Sequence, residues 1–213
     1  MSEFGYIPDS ANIEQSFGNN KGIFTPKDIY DLTRADKYTN YGQLELIETV
    51  TVSSASALDF TNLGTYNVHF ITYSFDGVSA DLSLLGRVSS DGGTFFKDST
   101  YQYANQRGDG EGGFEEARST STHSFGIANK ANIATAGHSF TGYMYYYNLL
   151  DSSKYSFQTN HSSFSDREAA NTVAFNFGSG VYPTAETHNA VRLLPNTSTI
   201  TGQASIYGIK EYS

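Results

Sequence analysis

The sequence predicts an all-β fold: a two-sheet antiparallel sandwich of jelly-roll type, preceded by an extended N-terminal arm with one short helix. Three observations lead there. The chain holds 15 Phe and 16 Tyr among 213 residues, and aromatic and β-branched residues suit a pleated, half-buried surface. From Gln43 onward, short stretches of alternating polarity recur between turn signals rich in Gly, Asn and Asp, which is the spacing of a sandwich or barrel. Residues 1–42 lack that pattern.

The arm comes first. Phe4, Tyr6, Ile7, Ile13, Phe17, Ile23 and Phe24 stand singly among Gly, Asn and Ser. No strand or helix period runs through them, so residues 1–24 read as extended chain. Thr25-Pro26-Lys27-Asp28 then forms a helix start, with a capping hydroxyl, proline at the first position and an acid three residues after the cap. A helix over 26–36 would place Ile29 and Leu32, with Tyr30, on one face, and Arg34 and Lys37 toward its negative end. So short a helix needs something to pack on.

The body spans residues 43–213. Leu44, Leu46, Val50 and Val52 alternate with Glu45, Thr49 and Thr51, but the phase breaks at Ile47-Glu48, where a bulge or a change of partner is expected. Further strands are expected over 66–75, 81–88, 95–103, 114–120, 140–148, 155–161, 171–177, 188–194 and 200–209. Turns are expected at Asn62-Leu63-Gly64, Asp76-Gly77, Ser90-Asp91-Gly92-Gly93, Asp151-Ser152-Ser153, Gly178-Ser179-Gly180 and Pro195-Asn196. The stretches 104–113 and 121–137 read as loop elaborations on this frame.

Composition excludes several classes of function. The net charge is −9, which disfavours phosphate-backbone binding and anionic membrane surfaces. There is no cysteine, so disulfide scaffolds and thiol catalysis are ruled out. No apolar run approaches the length of a bilayer span. Met1-Ser2-Glu3-Phe4-Gly5-Tyr6 shows neither a basic nor an apolar leader region, so no secretory signal is expected.

The motifs that suggest chemistry are weak in context. Gly108-Asp109-Gly110-Glu111-Gly112-Gly113 matches a dinucleotide fingerprint in letters, but its acids would repel a pyrophosphate, and it reads as a surface loop. Its acids lack the spacing of a calcium loop. Arg107-Gly108-Asp109 is an adhesive tripeptide on paper only. His69, His123, His138, His161 and His188 show no metal-ligand spacing. A Ser/His/acid site assembles in space and is not legible here, though no nucleophile elbow occurs and Ser179 reads as a turn residue. Glu115 and Glu116, adjacent on a strand, point to opposite faces and do not build a glycosidase pair. The acceptor-like tripeptides at Asn160 and Asn196 read as coincidence. The expectation is therefore no catalytic residue, no metal and no cofactor.

The run Tyr143-Met144-Tyr145-Tyr146-Tyr147 is the most unusual local feature. On a strand, Tyr143, Tyr145 and Tyr147 share one face, and Met144 and Tyr146 the other. Such a face is a platform for sugar stacking, a subunit contact, or a strand that closes the sandwich edge.

Two blocks carry a resemblance. Ser16-Phe17-Gly18-Asn19-Asn20-Lys21-Gly22-Ile23-Phe24-Thr25-Pro26-Lys27-Asp28-Ile29-Tyr30-Asp31-Leu32, with Tyr41-Gly42-Gln43-Leu44-Glu45-Leu46-Ile47-Glu48-Thr49, resembles the N-terminal segment of tail-fibre-like structural proteins of marine tailed phages, including cyanophages. Ile200-Thr201-Gly202-Gln203-Ala204-Ser205-Ile206-Tyr207-Gly208-Ile209-Lys210 resembles the last strand of small β-sandwich virion proteins from the same viruses. The resemblance implies a virion component made in the cytoplasm of a host bacterium. Residues 1–42 would attach it to other virion proteins, through Phe17, Gly18, Ile23, Phe24, Ile29 and Leu32, and the sandwich would form its head. It implies a homo-oligomer, a trimer above all, since the rings exceed what one modest core needs. A capsid decoration protein and a carbohydrate-binding receptor module for a host-surface glycan are the other readings; nucleic acid and membrane insertion are not expected.

Overall fold

The structure, a computed structural model, describes residues 26–34, 43–77, 81–134, 137–166 and 172–210. The chain divides into two units, Met1–Gln43 and Leu44–Ser213. In the first, helix α1 spans Pro26–Arg34, and the rest of the expected helix, residues 35–36, lies outside the described residues. Pro26 occupies the first position, where its missing N–H leaves no gap. Lys27 Nζ lies 2.5 Å from Asp31 Oδ2 one turn on, and Arg34 sits in the last turn.

Among the described residues the second unit holds twelve strands. They are β1 (Leu44–Ala55), β2 (Leu58–Phe60), β3 (Val68–Gly77), β4 (Leu82–Ser89), β5 (Tyr101–Asp109) and β6 (Phe114–Thr122). The rest are β7 (Phe125–Ala131), β8 (Phe140–Tyr147), β9 (Ser156–Ser165), β10 (Val173–Tyr182), β11 (Ala190–Pro195) and β12 (Ile200–Ile209). One sheet has the order β1-β12-β3-β8-β9-β10-β5-β6, the other β2-β11-β4-β7. All pairings are antiparallel.

The topology is a jelly roll with two insertions. Leaving aside β5, β6, β9 and β10, β1 pairs with β12, β2 with β11, β3 with β8, and β4 with β7. First pairs with last, second with last but one, and so inward, as when a long hairpin is rolled on itself. The hairpins β5–β6 and β9–β10 interrupt this roll and extend the larger sheet beyond β8.

The core lies between the sheets of the roll. Phe60, Ile71, Phe75, Leu84, Phe125, Ile127, Phe140, Met144, Leu193 and Ile206 are fully buried there. Fully burying such side chains stabilises the fold by about 1.5–3 kcal/mol each. The expected phase break in β1 is a bulge between Leu46 and Glu48. It turns Leu44 and Leu46 outward, whereas Ile47, Val50 and Val52 pack against the core.

Several expected elements differ. Residues 95–100 are irregular, and β5 instead runs through most of the stretch read as a loop. The stretch 121–137 contains β7, whose Phe125 and Ile127 are central to the core. The short β2 carries no alternation long enough to read from sequence. Gly178-Ser179-Gly180 is no turn but the middle of β10. Its glycines answer to close packing: a Cβ on Gly180 would stand 2.6 Å from Phe125 Cδ1, and one on Gly178 would collide with Asn105.

Candidate functional site

Tyr143, Tyr145 and Tyr147 do share the outer face of the large sheet, and Met144 and Tyr146 are wholly buried behind them. The tyrosines belong to a wider aromatic field. The Phe70 ring lies 4.8 Å from that of Tyr145 and 6.1 Å from that of Tyr207. Tyr145 stacks on Tyr147 at 6.2 Å, and Tyr143 meets His161 edge-on at 5.6 Å. The Tyr143 hydroxyl and His161 Nδ1 are 3.3 Å apart.

Over residues 156–162 of β9 and 175–179 of β10 the usual polarity of a sandwich strand is inverted, although Phe164, Ala174 and Tyr182 at the strand ends face inward. Phe157 is 44 % exposed and Phe177 51 % exposed, while Ser156, Gln158, Asn160, Ser162 and Asn176 face inward and are buried. The interior accepts these polar groups for a definite reason. Strand β7 is an edge strand of the small sheet, so one row of its carbonyls has no neighbouring strand. Amides from the large sheet take that place. Asn105 Nδ2 donates to Gly126 O at 2.9 Å, and Asn176 Nδ2 donates to Ile127 O at 2.8 Å. Asn160 Nδ2 lies farther from its acceptors, 3.3 Å from Gln158 Oε1 and 3.5 Å from Gly126 O. Satisfied edge carbonyls let the insertion hairpins lie under β7, and the aromatics of those hairpins are left for the outside.

Registry across the outer face produces three rows perpendicular to the strands. The middle row is Tyr145, Thr159, Ser179, Ala104 and Arg118. On one side run Tyr147, Phe157, Val181 and Gln102. On the other run Tyr143, His161, Phe177, Gln106 and Glu116. Small side chains thus floor a trough between two ridges that begin with rings. Two depressions lie along it, one of about 430 Å³ over Thr159 and one of about 630 Å³ over Ser179 and Ala104. The outer side of the small sheet is different, carrying the bidentate pair Arg192–Asp59 at 2.7 Å, with Arg192 also 4.0 Å over the Phe96 ring.

The remaining sequence candidates fall elsewhere. Phe17, Gly18, Ile23 and Phe24 lie outside the described residues, as does the side chain of Leu32; Ile29 sits on α1. Arg107 is buried and paired with Asp166, with Glu115 at 3.6 Å, so it is not displayed as part of an adhesive tripeptide. Asp109 Oδ1 instead accepts from Glu111 N at 2.9 Å and Gly113 N at 3.0 Å, closing the β5–β6 hairpin. Glu115 faces Lys130 at 2.7 Å, and Glu116 faces Arg118 at 3.4 Å. Among the described residues no group of three His, Cys, Asp or Glu is placed to hold a metal. Asn160 is buried, and Asn196 Oδ1 accepts from Ser83 N at 2.7 Å.

One constellation was hidden in the sequence. Ser156 Oγ lies 2.7 Å from His188 Nδ1, and His188 Nε2 lies 3.4 Å from Glu186 Oε1. The order of groups is that of a nucleophile, its base and an orienting acid. Ser156 and His188 are both 0 % exposed, which leaves no approach for an acyl carbon. The arrangement fastens the segment before β11 to β9, with His188 N donating to Leu149 O at 2.6 Å. Burial holds the His188 imidazole below its ordinary pKa, against the opposing pull of Glu186. No protein-family model matches this chain, and no curated protein matches it.

Proposed function

We propose that this chain is a non-catalytic structural component of a tailed-phage virion, in the tail, neck or fibre. Residues 1–42 dock it on other virion proteins and the jelly-roll head presents a binding face. The observation that carries the binding role is the inversion of β9 and β10, with rings turned to solvent and amides turned to the core. Proteins break local patterning rules where function requires it. The virion setting rests on the resemblance of the two terminal blocks, of which the second forms β12, inside the large sheet.

The experiment is mass-spectrometric copy counting in purified virions. A few to some tens of copies are expected; hundreds would establish the decoration reading instead, and absence would refute both. Deleting residues 1–32 tests the attachment: the head should stay folded yet fail to enter particles. Incorporation at the normal level would refute the docking role. Trimer formation is part of the same reading, and light scattering that finds only a 23.3 kDa species at tens of micromolar would overturn it.

A further inference from the structure

From the outer face of the large sheet we infer a glycan site: the trough across β8, β9, β10, β5 and β6 binds an extended, uncharged oligosaccharide, running perpendicular to the strands. The inference rests on the head being a binding module and names its ligand class.

Dimensions come first. Four strand spacings separate Tyr145 from Arg118, about 19 Å in all. Each ridge stands two residues from the floor, so the ridge backbones are about 13 Å apart. The two depressions, 430 and 630 Å³, are each of the size that holds a small ligand.

Chemistry follows. A pyranose has apolar C–H faces and an equatorial rim of hydroxyls. Here the rings of Tyr145, Phe157 and Phe177 offer stacking surface on three sides of the trough, and Thr159 and Ser179 offer hydroxyls from its floor. Charge selects the uncharged class. Arg118 at the far end is offset by Glu116 at 3.4 Å, and the chain as a whole carries −9, so a sulfated or carboxylated glycan gains no attraction and meets repulsion.

The test uses affinity electrophoresis of the full chain through gels holding laminarin, galactomannan or xylan as neutral polymers, and κ-carrageenan as a sulfated one. Retardation by at least one neutral polymer is expected, unchanged by salt. Phe157→Ala and Phe177→Ala should each weaken it about tenfold or more. Ala104→Leu fills the floor without removing a ring and should abolish it, with Ser179→Leu as a second filling variant. Urea midpoints check that the variants fold. Hydroxyl-radical footprinting of the unmodified protein gives an answer independent of any variant: laminarin, or whichever neutral polymer retards it, should protect Tyr145, Phe157 and Phe177. No retardation by any neutral polymer, salt-sensitive binding to carrageenan alone, or binding that folded floor-filling variants retain would each overturn the trough. Virion copy counting is unaffected by these outcomes, so the trough can fail while the virion role stands.

Discussion

Asn176→Ala tests whether the buried amides hold β7 in place. The side chain is wholly buried, and its Nδ2 donates to Ile127 O at 2.8 Å and to Asn160 Oδ1 at 3.2 Å. Truncation leaves the Ile127 carbonyl on a bare sheet edge, with only Ser162 Oγ, at 3.5 Å, near enough to compensate. An unsatisfied buried acceptor costs about 1–3 kcal/mol. One offset exists: Asn176 Oδ1 is itself without a partner among the described residues, and truncation removes that orphan. The expected loss is therefore about 2 kcal/mol, or roughly 4–8 °C in Tm for a domain of this size. Asn160→Ala supplies the internal comparison. Its Nδ2 contacts with Gln158 and Gly126 are long, 3.3 and 3.5 Å, and although its Oδ1 accepts from Asn176 Nδ2 at 3.2 Å, that donor keeps the Ile127 carbonyl, so the loss should be smaller, about 1 kcal/mol. The assay is urea unfolding followed by circular dichroism and tyrosine fluorescence, with an unchanged m value as the sign of an unchanged two-state transition. Equal losses for the two variants, or a loss below about 0.5 kcal/mol for Asn176→Ala, would falsify the edge-satisfaction account, because surface-like values imply that water already serves those carbonyls.

The head should lose stability in mild acid. Burial is the chief cause holding both His69 and His188 below their ordinary pKa of 6.5, so the unfolded chain binds protons first; stability should be full above about pH 6.5 and fall as pH drops below it. A urea midpoint that is flat or rising from pH 7.5 to 5 would contradict this. Arg107→Ala should cost about 3–5 kcal/mol, because it takes the guanidinium away from the buried Asp166 carboxylate it pairs with; a thermal melt within 2 °C or so of the parent would show that this ion pair does not hold the interior together. Gly180→Ala adds a methyl 2.6 Å from Phe125 Cδ1 and 2.9 Å from Gln102 O, and should destabilise by about 1–3 kcal/mol. Were residues 178–180 a free turn, the same change would be neutral in chemical denaturation.

The amino-acid sequence by itself determined the class of fold and the run of strands that obey a two-residue period. Strands β3, β8 and β12 were legible because each buries one face on the core, and burial writes itself into alternation. The β1 bulge was legible for the same reason, since a break of phase at Ile47-Glu48 admits few other geometries. The outward tyrosines of β8 followed from alternation alone. Tertiary structure decided the rest. Strands β9 and β10 were expected, shorter, over 155–161 and 171–177, but the inversion of their faces was not; β5, most of it read as a loop, lies with them over the bare edge of β7, where the interior wants hydrogen-bond donors that Asn105, Asn160 and Asn176 supply. Strand β7 lay hidden because Gly126 and Asn129 dilute a short apolar stretch. The trough was equally invisible: its floor joins Thr159 and Ser179 of the β9–β10 hairpin to Ala104 of β5, which lies far away in sequence. Ser156, Glu186 and His188 met for the same cause. Local sequence records what each residue buries, but neighbours across a sheet are chosen by the roll of the whole chain, through pairings that no single segment encodes.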